Sequence, residues 1–70
     1  MPKTLTGTYG SAEAARNAHE DLVHTGLPSE KVFLDRDNAE VKAIAADGNE
    51  REIREILDRH QPSEITERDM

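Results

Sequence analysis

Val32-Phe33-Leu34-Asp35-Arg36-Asp37-Asn38-Ala39-Glu40-Val41-Lys42-Ala43-Ile44-Ala45-Ala46 is the stretch that decides the architecture of this chain. Residues 32–35 and 40–46 are short apolar-rich runs that suit strands. Arg36-Asp37-Asn38-Ala39 between them supplies side chains that tolerate a tight turn, so the stretch reads as a hairpin. The hydrophobic period on either side of it is helical. Upstream, Ala15, Ala18 and Leu22 form a stripe with Ala14 and Val23 at its margins. Ser11 stands where an N-cap hydroxyl would accept an orphan N–H of the first turn. Gly26 is placed as a left-handed C-terminal cap, and Pro28 prevents easy continuation. Downstream, Ile53, Ile56 and Leu57 make an i, i+3, i+4 seam, opened by Asp47-Gly48-Asn49 and closed by Pro62. Asn49 with Glu52 three residues later resembles a capping box. Glu50–Arg54 and Glu55–Arg59 are spaced for i, i+4 ion pairs on the outer face, each contributing about 0.2–0.5 kcal/mol.

Further out lie the first and last strands. Residues 4–9 alternate, with Leu5, Gly7 and Tyr9 on one side and Thr4, Thr6 and Thr8 on the other. Residues 63–67, centred on Ile65, read as the last strand, with residues 68–70 expected to fray. The order strand–helix–strand–strand–helix–strand predicts an α+β ferredoxin-like split βαβ plait, with two helices on one face of a four-stranded antiparallel sheet. Residues 1–70 are expected to form one small domain. Leu5, Tyr9, Val32, Leu34, Val41, Ala43, Ala45 and Ile65 are the sheet residues expected to cover the helix stripes. The opposite register would bury Phe33 and Ile44 instead, and it is disfavoured because it places fewer apolar groups inward.

Composition sets limits on function. A domain of 70 residues buries only about 60% of the surface its unfolded chain exposes. With no cysteine there is neither a disulfide staple nor a cysteine-based zinc site, so self-association is the remaining remedy for a thin core. Fifteen acidic against nine basic residues give a net charge of −6. That balance repels phosphate backbones and anionic leaflets, and the basic residues are scattered, so neither nucleic acid nor membrane is an expected partner. The chain carries no apolar run of membrane-spanning length. Met1-Pro2-Lys3-Thr4 does not resemble a signal peptide, so a cytoplasmic location is expected.

The favoured register turns Phe33 and Ile44 to the open face of the sheet, among Thr4, Thr6, Thr8, Lys42 and Thr66. An apolar pair there marks a contact surface. Phe33, Ile44, Thr6 and Thr66 are therefore the candidate interaction residues, with a homodimer as the expected partner. The rival candidate is Gly10-Ser11, where backbone N–H groups at a strand-to-helix junction would hold a small anionic metabolite. That junction matches neither a phosphate loop nor a dinucleotide fingerprint.

The remaining chemistry has a structural reading. His19 and His24 are five apart, a poor metal pair, and read as a solvated helix face. His60 ends the second helix, where imidazole can bond terminal carbonyls. Asp35, Asp37, Asn38 and Glu40 read as turn chemistry, because a calcium loop needs a longer run with a central glycine. No titratable pair falls at a catalytic spacing, so neither an enzyme nor a cofactor or metal is expected. An RNA-recognition plait would need more aromatics than one Phe and one Tyr, and basic surroundings.

Ser11-Ala12-Glu13-Ala14-Ala15 with Ala18, Leu22 and Gly26, then Pro28-Ser29-Glu30-Lys31-Val32, resembles the small domain of bacterial general stress (heat-induced stress) proteins. Ile56-Leu57-Asp58-Arg59-His60 and Ile65-Thr66-Glu67-Arg68 are similar to a tail seen in such proteins. Gln61 stands where that pattern has a glycine, and Leu27 where an aromatic is common. The resemblance implies a stress-linked bacterial domain without assigned catalytic residues.

Overall fold

The computed structural model describes residues 3–46 and 48–69. Its elements run β1 (Lys3–Thr8), α1 (Ala12–His24), a 3-10 turn (Ser29–Lys31), β2 (Val32–Asp35), β3 (Glu40–Ala45), α2 (Glu50–Arg59) and β4 (Glu64–Asp69). The sheet has the order β2-β3-β1-β4 with every neighbour antiparallel. This is the α+β plait with both helices on one face. β4 pairs as far as Asp69, beyond the expected end of the last strand, and Met70 lies outside the described residues.

Alternation along each strand decides what is buried. Leu5, Val32, Val41, Ala43 and Ala45 are buried on the helix side with Tyr9. Leu34 on β2 and Ile65 on β4, both expected in the core, pack against it but remain partly exposed. From α1 come Ala15, Ala18 and Leu22, and from α2 come Ile53, Ile56 and Leu57. Full burial of a Leu or Ile contributes about 1.5–3 kcal/mol. The alanines of α1 add little of this, but with no bulk they let the helix lie close to the sheet.

Gly7 and Tyr9 share one slot. A Cβ on Gly7 would stand 3.0 Å from the Tyr9 hydroxyl and 3.1 Å from ring atom Cε2. The missing side chain is therefore what lets the ring lie back over β1. Tyr9 Oη then donates to the Leu57 carbonyl at 2.7 Å, tying the end of β1 to α2. Burial, with a smaller contribution from the Asp58 carboxylate, pushes the Tyr9 phenol up to about 12. Ser63 ties the entry of β4 to the same strand, its backbone N–H donating to Thr8 O at 2.7 Å.

The helix ends differ from one another. Ser11 Oγ accepts from Ala14 N at 3.1 Å, and Gly26 takes φ +113° beyond the Thr25 cap, both as the sequence implies. Asn49 makes no side-chain cap bond, so the expected capping box does not form. Its φ of −112° and ψ of 2° are not the extended backbone that aims a cap side chain at the first turn. Gln61 adopts φ +58° after α2, a left-handed position that explains why glycine suits this site.

The expected i, i+4 pairs on α2 are also replaced. Glu50 meets Lys3 of β1 at 3.4 Å, Arg54 pairs with Glu67 of β4, and Arg59 lies 3.9 Å from Asp21 of α1. The sheet and α1 offer partners that an isolated helix lacks.

Candidate functional site

The open face of the sheet is built from residues that alternate away from the helices, and the register sorts them into three rows. Phe33, Lys42, Thr6 and Thr66 stand side by side across β2, β3, β1 and β4. Toward the β2–β3 turn lies the row Asp35, Glu40, Thr8 and Glu64. At the other end lies the row Ile44, Thr4 and Arg68. Thr8 Oγ1 donates to Glu40 Oε2 at 3.5 Å, in keeping with one shared face.

Three of the four expected contact residues, Phe33, Thr6 and Thr66, thus occupy a single row. Ile44 sits in the next. Phe33 faces Lys42 directly and reaches Ile44 only on the diagonal, a separation of about 7–8 Å, so the two apolar groups are not a directly paired couple. Phe33 is 49% exposed and is the one large hydrophobic residue with an exposed side chain among the described residues. Ile44 is half-buried. Between the rows runs a shallow trough lined by Thr4, Thr6, Lys42, Thr66 and Arg68, with Glu40 and Asp69 at its rim.

Sequence reasoning missed the acidic row. Local reading gives Asp35 and Glu40 to the turn, and it places Glu64 within the last strand and Arg68 beyond its end. The period-2 alternation of β4, once continued past Glu67, would have put Glu64, Thr66 and Arg68 on one side. Asp35 does serve the turn. Its carboxylate accepts from the Asn38 side-chain amide at 2.8 Å and from Asn38 N at 3.3 Å. Those two bonds, the side-chain one foremost, hold Asp35 below its ordinary pKa, so it stays charged at the acidic end.

Gly10 and Ser11 are exposed at the start of α1. Ser11 Oγ already accepts the Ala14 N–H. Its backbone carbonyl accepts from Ala15 N at 3.2 Å.

His60 does not cap α2 through its side chain. Nε2 donates to Asp21 Oδ2 of α1 at 2.6 Å, joining helices 39 residues apart in sequence. That hydrogen bond, aided by the nearby charges of His60, Arg59 and His24, holds the Asp21 carboxyl below its ordinary range. Among the described residues no group of three or more His, Cys, Asp or Glu is placed to hold a metal ion. No described helix is long and apolar enough to cross a membrane. Asn49 Oδ1 is buried without a hydrogen-bond partner among the described residues.

No protein-family model, no curated protein and no solved structure matches this chain, so the likeness to general stress proteins rests on the residues quoted for it.

Proposed function

We propose that this chain is a small non-enzymatic interaction module that pairs with itself through the open face of its sheet. The observation that carries the reading is Phe33, an aromatic ring half-exposed on a face with no helix over it. Edge-to-edge pairing is the less favoured route. β2 is only four residues long, and Glu64, Glu67, Arg68 and Asp69 put charge along β4. Short, charged edges resist the addition of another strand. The stress-protein resemblance adds a stress-linked bacterial role to this proposal.

Sedimentation and thermal melting across a hundredfold dilution test it. A self-associating module loses stability on dilution, because only the folded state dimerises. Phe33→Asp is expected to abolish the association while leaving the helix content intact. A chain that stays monomeric with an unchanged melting temperature refutes the proposal. The rival reading, a small anion held at Gly10-Ser11, has less support, since the Ser11 cap already takes the Ala14 N–H, one of the first-turn donors an anion would use.

A further inference from the structure

Taking the open face as the surface that meets a second copy, we infer that its charge pattern fixes how the two copies meet: face to face, about a two-fold axis running across the strands along the Phe33–Lys42–Thr6–Thr66 row. This inference rests on the self-association reading and adds an orientation to it. Asp35, Glu40 and Glu64 occupy one end of the face, while Arg68 lies at the other and Lys42 in the middle. Symmetric dimers use the same patch twice, so the axis decides which end meets which.

An axis across the strands lays the acidic row of each copy over the Ile44–Thr4–Arg68 row of the other. Glu64 then faces Arg68 of the second copy, twice by symmetry, and Phe33 meets its own counterpart at the axis. An axis along the strands does the opposite. It sets acidic row against acidic row, three carboxylates from each copy, and leaves Phe33 over Thr66. Like charges brought together across an interface exclude the wrong arrangement more strongly than rim charges favour the right one. The favoured arrangement brings Lys42 toward its own counterpart. The neighbouring Glu40 side chains, two residues along the same strand, offset that repulsion.

Three strands of six residues and one of four, about 4.8 Å apart and rising about 3.3 Å per residue, give a face of roughly 350 Å² in flat projection. That is about half of what a standard interface buries per partner, so the dimer belongs to the weak, exchanging class. Weak association suits a surface whose specificity comes from charge, and it makes the dimer sensitive to salt.

Charge reversal in two single variants provides the test, with association measured by sedimentation at several protein concentrations. Glu64 and Arg68 are exposed, so neither Glu64→Arg nor Arg68→Glu should disturb the fold; circular dichroism and the Tyr9 signal confirm this. Each variant alone is expected to dimerise about tenfold more weakly than the parent chain. An equimolar mixture of the two is expected to recover a heterodimer, because both crossed contacts are then opposite in charge. The double variant carrying both reversals is expected to recover self-association. Raising the salt should weaken the parent dimer. If the parent dimerises but both single variants do so equally well, and their mixture shows no preference, the axis is refuted and the sheet-face reading stands. If the parent remains monomeric at millimolar concentration, both fall.

Discussion

Replacing Gly7 with alanine tests whether the empty slot on β1 is what seats Tyr9. The new methyl carbon would lie 3.0 Å from the hydroxyl, 3.1 Å from Cε2 and 3.3 Å from Cζ, all closer than the 3.5–4.0 Å of ordinary carbon contacts. Little space exists for the ring to yield, because its hydroxyl is held at 2.7 Å to the Leu57 carbonyl on α2. Overpacking of this kind costs about 1–3 kcal/mol. Breaking the Tyr9–Leu57 bond adds about 0.5–1.5 kcal/mol. Against this, alanine narrows the unfolded ensemble and offsets about 0.4–1 kcal/mol. A net loss of roughly 1–3 kcal/mol is expected, a large fraction of the stability of a small domain. The chain has one tyrosine, one phenylalanine and no tryptophan, so tyrosine fluorescence and the tyrosine band of the near-ultraviolet circular dichroism, which lies to longer wavelength than the Phe33 bands, report on Tyr9. Urea unfolding of Gly7→Ala, Tyr9→Phe and the double variant completes a cycle. Removing the hydroxyl should relieve the closest contact, so the alanine should cost less in the phenylalanine background. A Gly7→Ala protein within about 0.5 kcal/mol of the parent, with its tyrosine signal unchanged, would refute the reasoning.

The two helix starts should respond unequally: Ser11→Ala is expected to cost about 1 kcal/mol, and Asn49→Ala less than about 0.5 kcal/mol because no cap bond is lost, as read from urea midpoints. Gln61→Gly is expected to stabilise by up to about 1 kcal/mol, since φ +58° strains an L residue; a lowered melting temperature would count against that cause. Asp21 has a depressed pKa in the folded chain, so its contribution is present above the ordinary aspartate range and is lost as pH falls through the lower folded value. Asp21→Asn should therefore flatten the fall in stability below about pH 4, measured by urea unfolding at a series of acidic pH values. Tyr9 runs the other way: stability should decline between the ordinary phenol value near 10 and about 12 as the unfolded chain ionises first, and Tyr9→Phe should remove that decline.

The strands and their faces were legible because alternation is a local property with a fixed period. Leu5, Val41 and Ala43 are buried where the pattern puts them, and Phe33 points the other way. The hairpin was legible for a similar reason, since Asp35 and Asn38 make their bonds within the turn itself. What stayed hidden depends on tertiary neighbours. Arg54 has Glu50 at ideal helical spacing, yet it pairs with Glu67 because β4 runs past that side of α2. His60 finds Asp21 on the other helix, a partner no local spacing points to. The three rows of the open face needed the register, because members of one row such as Phe33 and Thr66 lie on opposite edge strands of the sheet.

Lys3 stands opposite Asp69 in the β1–β4 ladder, so the outermost paired positions of the described chain are side by side. A ribosome makes β1 early, yet that strand cannot acquire its second neighbour until β4 has emerged. During synthesis its outer hydrogen-bonding groups wait for water or for a stranger. The same adjacency makes a rewired gene practical: a short bridge from β4 back to β1, with new ends opened at residues 36–39, keeps every strand neighbour. It would also turn the β1–β4 pairing into a local hairpin and make β2–β3 the longest-range pairing instead, so the two chains should differ in which strands meet first.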